Sequence, residues 1–287
     1  MAIAFDRVKK PLRQLRKSLR QLSDNPAPDR VHKLRTGARQ VEAIASAIPP
    51  ASEKLARRLL KCIKMVRKAA GRVRDMDVLT AHAHTLPQQP HNQALARLVE
   101  HLEQSRKAHA DTLLRTLDLQ RKTARAHLKT YSGQLEKRNK SSVLLSDVEG
   151  QVHASAARLT AEISRWPSLS PHNLHGFRLK VKELRAVLQL LPSSDHVLVN
   201  DLGVVKDRIG AWHDWLQLAK TATEVLDAGQ DNGLLTLIRQ TGKQKLTEAL
   251  ATANALRQRH LQLPLKKPPV SERQEPVTIK ARRNPAA

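Results

Sequence analysis

The sequence is short of several things at once, and each shortage closes off a class of function. It has one cysteine, Cys62, in 287 residues, so no internal disulfide can form and no cysteine ligand set for zinc exists. Set among apolar and basic residues, Cys62 reads as a buried, inert thiol. Three Trp, two Phe and one Tyr are the whole aromatic complement. Readers of single-stranded nucleic acid stack bases on aromatic platforms, and few such platforms can be built here. That counts against base stacking, not against contact with a bare phosphate backbone. No run reaches the roughly 18 apolar residues of a membrane span, and the N-terminal MAIAFDRVKK lacks a signal peptide's apolar stretch. A soluble, cytoplasmic protein is therefore expected. Glycine is low at ten residues, and Val, Ile and Thr never cluster in alternating runs, so strands find no support.

Acidic residues are also outnumbered: 26 Asp and Glu face 51 Lys and Arg, a net charge of +25. Such a surplus strains a compact fold by self-repulsion and draws any polyanion nearby. With 40% hydrophobic residues the chain still has material for a core, so it is not a disordered basic tail.

What is present has helical period almost throughout. The spacing predicts helices over residues 3–22 (Pro11 near the start or at a kink), 29–47 and 52–82, then one or two long helices to about 137, after the loop Leu86-Pro87-Gln88-Gln89-Pro90. A polar stretch at 138–146 suggests a junction, and the next helix ends near Trp166-Pro167. Ser170-Pro171 has the form of an N-cap with proline at the first helical position, opening a helix to about Leu191, and two more fill 195–228 and 233–261. Residues 263–287 are rich in proline and charge and read as a disordered tail.

The two halves echo each other. Val31-His32-Lys33-Leu34-Arg35-Thr36-Gly37-Ala38-Arg39 matches Leu174-His175-Gly176-Phe177-Arg178-Leu179-Lys180-Val181-Lys182 at an offset of 143, and Gly71–Asp75 matches Gly210–Asp214 at 139. Two matched elements in the same order predict a duplicated unit of about four helices. The expected architecture is all-α: residues 1–262 as one domain, with halves at about 1–138 and 146–262.

On a helix, residues at i, i+3 and i+7 share a face. His32, Arg35 and Arg39 have that spacing, as do His175, Arg178 and Lys182, with Arg185 extending the row. The apolar stripe Phe177, Val181, Leu184, Leu188, Leu191 lies roughly 120° away. Further rows are Arg13, Arg16, Lys17 and Arg20 on the first helix and Arg57, Lys61, Lys64, Lys68 and Arg72 on the third. A single lysine or arginine row is ordinarily a solvated face. Here residues 1–75 hold 20 Lys and Arg against 6 Asp and Glu, and rows without acids at i±4 repel one another unless an anion intervenes. An extended polyanion is the predicted partner.

At these residues the sequence resembles the CHAD family, the conserved histidine α-helical domain. The segments that carry the resemblance are VHKLRTGARQ, RDMDVL, LHGFRLKVKELR and IGAWHD, in order over residues 1–262. The resemblance implies two pseudo-symmetric helical bundles facing each other across a basic channel, binding of inorganic polyphosphate, and association with polyphosphate granules. Carried over residue by residue, it implies roles for His32, Arg35, Arg39, His175, Arg178, Lys182 and Arg185. The chain also departs from the pattern. Gln40 and Glu42 shorten the first row, and Asn200, Gly203, Asp207 and Ala211 stand opposite Lys61, Lys64, Lys68 and Arg72. Lys206 is the main basic survivor there, so the N-terminal half is expected to dominate binding.

Catalysis has little to stand on. There is no phosphate-cradling GxxxxGK[ST] loop, and Asp75 with Asp77 is too thin a motif for a metal. His82 and His84, at i and i+2, read as surface residues. Asp75 and Asp214 are expected to be buried ion-pair or capping partners whose pKa the basic field depresses. The expectation is thus a binding protein that is not an enzyme, needs no cofactor or metal, and takes polyphosphate. The alternative is a protein that binds the nucleic-acid backbone with the same rows.

Overall fold

The computed structural model describes residues 5–87, 93–140, 142–191, 195–227 and 229–261. Among them there are eight helices and no strand: α1 (Phe5–Gln21), α2 (Pro28–Ala47), α3 (Glu53–His84), α4 (Gln93–Asn139), α5 (Ser142–Ser164), α6 (Leu174–Leu188), α7 (His196–Val225) and α8 (Asn232–His260). The all-α expectation is met. Where one or two long helices to about 137 were expected, there is one unbroken helix of 47 residues, α4. No helix here is long and apolar enough to cross a membrane. The expected tail lies outside the described residues.

Local chemistry sets most boundaries. Pro28 starts α2, where its missing N–H costs nothing. Ser52 caps α3 by accepting from the Leu55 amide, and Asp195 caps α7 by accepting from Val197 and Leu198. One boundary differs from expectation. Backbone turn bonds do begin at Ser170, but the regular helix starts at Leu174. The reason is Asn173, whose side chain accepts from the Ser170 amide and donates to the Ser168 carbonyl. It closes a local loop that competes with continued helix.

Helices neighbouring in sequence pack together within each half: α1 with α2, α2 with α3, α3 with α4, and likewise α5 with α6, α6 with α7, α7 with α8. The halves also touch, through α2 with α6, α3 with α7, and α4 with α5 and α7. The core follows suit. Its main body runs from Val8 and Leu12 of α1 through Leu34, Val66 and Leu128 to Phe177, Leu202 and Ala253, so both halves share one apolar interior. A second cluster lies where the far ends of the α3–α4 and α7–α8 pairs meet, around Leu79, Leu98, Trp215 and Ile238. Bridging the halves at both places fixes how the α2–α3 and α6–α7 pairs face each other. Cys62 is buried, as expected, and burial pushes its thiol upward.

Candidate anion-binding site

Burial of one stripe on each His-x-x-Arg helix decides where its cations go. On α2, Val31, Leu34, Ala38 and Val41 are buried, and on α6 Leu174, Phe177, Val181 and Leu184 are. His32, Arg35 and Arg39, and likewise His175, Arg178, Lys182 and Arg185, are left on other faces of their helices. These faces meet α3 and α7.

The arginines are seated in glycine notches. Arg178 of α6 crosses α7 at Gly210, where an added Cβ would overlap a terminal guanidinium nitrogen and lie 3.1 Å from Cζ. Its Nε donates to the Lys206 carbonyl at 3.0 Å. Arg185 repeats the arrangement over Gly203, with a Cβ position 3.2 Å from its Nε, which donates to the Val199 carbonyl at 3.2 Å. In the first half Arg35 crosses α3 at Gly71 more loosely, 3.5 Å from the Cβ position, and reaches Asp75 at 3.7 Å. With Nε tied to a helix carbonyl, the guanidinium of Arg178 or Arg185 has a fixed plane while its terminal N–H groups stay available.

Charges from both halves act on each other here. Burial first, then Arg35, Arg67 and Arg178, push Arg39 down to about 10, which leaves it charged at neutral pH. Burial, then Arg178, Arg39, Arg35 and Lys206, push Lys182 down to about 6, so its amine is largely neutral at pH 7. His175 is lowered by burial and then by His213, Arg178 and Lys182, and His32 by burial and then by Arg74 and Arg35. Both imidazoles are therefore mostly uncharged at neutral pH. The His175 ring packs against His213 with centroids 4.5 Å apart. His175 Nδ1 and Arg39 Nε are buried and have no partner within the protein. Lys206, the expected survivor of the second half, pairs with Asp207 at 2.5 Å while still acting on Lys182 and His32.

The structure corrects two readings of the acidic residues. Asp75 is not buried, nor is its pKa depressed. Removal of nearby water and then Asp214 outweigh Arg35, the largest opposing pull, and raise its carboxyl. With 61% of the side chain exposed, solvent keeps that rise modest. Asp214 is partly exposed and pairs with His213 at 3.6 Å. The buried acid of the RDMDVL segment is Asp77 instead, 4% exposed and accepting from Arg106 at 2.6 Å. Arg106 also donates to the Pro26 carbonyl, so this pair ties α3 and α4 to the α1–α2 loop. Among the described residues no three His, Cys, Asp or Glu side chains converge as a metal-holding group. Of the two histidines read as surface, His84 is exposed but His82 is not. It packs on Trp215 of α7 at 5.0 Å, and burial lowers its pKa.

The remaining rows fall in two places. Arg57, Lys61, Lys64, Lys68 and Arg72 are all exposed on α3. At about 100° per residue they lie opposite its buried stripe and beside the face of Arg67, Gly71 and Asp75, so they border the cluster. Arg57 is partly answered by Glu53 at 3.5 Å, and Arg72 acts on His109 of α4. Arg13, Arg16, Lys17 and Arg20 do not join the cluster. Gly37 of α2 packs on Leu15 of α1, and Gly37 lies two residues from both Arg35 and Arg39, roughly 160° round the helix. The α1 row thus sits beyond the far side of α2, where with Arg125 of α4 it lines a cavity of about 320 Å³. Sequence reasoning missed Arg125 and the glycine notches. Glycines inside otherwise regular helices were the available signal for the notches, because an unforced helix has no use for them.

The geometry can be set beside known proteins. The profile of the CHAD domain matches residues 7–223. A solved structure, the CHAD domain from the plant Ricinus communis, shares the fold over 90% of this chain and 91% of its own, with a TM-score of 0.59 and 17% identity. No curated protein matches. The profile takes in both His-x-x-Arg helices and both glycine-notched partners, and a CHAD domain of known structure shares the fold; this chain belongs to the CHAD domain family.

Proposed function

We propose that this protein binds inorganic polyphosphate, without catalysing its turnover, at the cation cluster shared by α2, α3, α6 and α7. The observation that carries the reading is the convergence of Arg35, Arg39, Arg178 and Lys182 from both halves with few acids to answer them, close enough that burial and mutual repulsion lower Arg39, Arg178 and Lys182. A chain of phosphates supplies the closely spaced negative charge that such a set lacks. Arg35, Arg39, Arg178 and Arg185 offer forked donors, Lys182 and Lys206 point charges, and His32 and His175 ring N–H groups. The α3 row extends the positive field away from the cluster, which favours a long ligand over a single phosphate. The CHAD resemblance implies polyphosphate, and with it a place at cytoplasmic polyphosphate granules.

Direct competition between long-chain polyphosphate and duplex DNA of matched charge tests this. Polyphosphate is expected to win, with log affinity falling against log salt at a slope of about −4 for six phosphate contacts on a single strand. Arg35→Glu with Arg178→Glu should remove binding at this cluster, read as a clearly lower polyphosphate affinity at fixed salt, while circular dichroism still reports the folded helices. Equal competition by duplex DNA would favour a nucleic-acid-backbone role. Unchanged polyphosphate affinity in the folded double variant would exclude this cluster as the site.

A further inference from the structure

The cleft between α1 and α4 is a second concentration of cations, and nothing in the cluster above accounts for it. Arg13, Arg16, Lys17 and Arg20 line it from α1 and Arg125 from α4, with Arg121 one turn before Arg125. The Nε atoms of Arg16, Arg121 and Arg125 are buried and have no hydrogen-bond partner in the protein. None of the six side chains has an ion pair or hydrogen bond within the described structure. The α1 helix is nevertheless held here: Val8, Leu12, Leu15 and Leu19 are buried, and Lys9 pairs with Glu136 of α4 at 3.3 Å. Apolar packing therefore forces the cations together, at a cost in like-charge repulsion that a bound anion would remove.

We infer that this cleft is a second phosphate-binding site, independent of the central cluster, that takes a short stretch of linear polyphosphate. Its volume, about 320 Å³, admits a single-file chain of a few phosphates and not a duplex. Because α2 stands between the α1 row and the His32–Arg35–Arg39 row, one ligand segment does not lie in both at once. The protein is then bivalent, able to hold two chains or two distant stretches of one. The identity of the ligand rests on the reading above; the anion site itself rests on the cleft.

Titration calorimetry with inorganic tripolyphosphate on the full chain decides the matter. Two variants separate the sites: Arg125→Glu, which gives the α1 cations an internal partner, and Lys182→Glu, which does the same for the central cluster. Wild type is expected to take two equivalents, and each variant one, the lost step weakened tenfold or more as charge-assisted contacts are removed. Arg125→Glu should also raise the ligand-free melting temperature by relieving repulsion, and Arg16→Gln with Arg20→Gln should repeat the loss of stoichiometry without introducing an acid. One equivalent in wild type, kept by Arg125→Glu and lost by Lys182→Glu, would overturn the second site and leave the central one standing. One equivalent lost only by Arg125→Glu would uphold the cleft and overturn the central reading. No binding by wild type would overturn both.

Discussion

Phosphate binding at the central cluster should take up a proton, and Lys182 is the group that takes it. Burial and the charges of Arg178, Arg39, Arg35 and Lys206 hold its amine at about 6. At pH 8 it is then about 1% protonated in the free protein. An anion among those cations cancels the repulsion and restores the charged form, so its pKa climbs back toward the usual lysine range. Binding at pH 8 should thus absorb close to one proton, and affinity should fall by about tenfold per pH unit between pH 6 and the pKa of the bound amine. His32 and His175 are lowered as well, so the lysine's share is taken as the difference between wild type and a variant that lacks only the amine. The assay is calorimetry in two buffers of different ionisation enthalpy, with wild type beside Lys182→Gln. Equal proton uptake by the two proteins would refute the reasoning. The same shift gives a sign for stability. Between about pH 6 and the normal lysine pKa the unfolded chain holds a proton that the folded one lacks, so the ligand-free protein should gain stability as pH rises. Lys182→Gln should flatten that slope.

Two further outcomes follow from packing. Gly210→Ala should lower polyphosphate affinity about tenfold by pushing Arg178 off the Lys206 carbonyl, whereas Gly71→Ala, with 3.5 Å of clearance, should bind within about twofold of wild type and gain up to about 1 kcal/mol of helix stability. Equal losses in the two, measured by competition at fixed salt, would refute the notch argument. Tyr131→Phe should cost about 1–2 kcal/mol, because the buried hydroxyl donates to the Ile48 carbonyl at the end of α2; a urea midpoint lowered at unchanged slope is the expected readout.

Helices and cationic rows were legible because both depend on spacing within about two turns. A 3.6-residue period ties Arg35 to Arg39 and Phe177 to Val181 whatever else the chain does. The repeat was legible too, since matched segments need no coordinates. Placement between distant segments was not. His82 looked like a surface residue because its cover, Trp215, is 133 positions away in sequence. Asp75 looked like an acid in a basic field, but its pKa depends on water displaced by packing and on Asp214 across the halves. Ser170 looked like the helix cap, and a side-chain bond from Asn173 moved the start of α6 by a turn.

The sequence by itself therefore determined an all-helical, strongly basic chain with two matched His-x-x-Arg segments and its cations in rows. Only the tertiary structure decided which rows act together. The α2 and α6 rows converge because their apolar stripes turn them toward α3 and α7, while Gly37 against Leu15 sets the equally basic α1 row beyond the far side of α2. Which side of a helix a neighbour occupies is settled by long-range packing, and no local period carries that information.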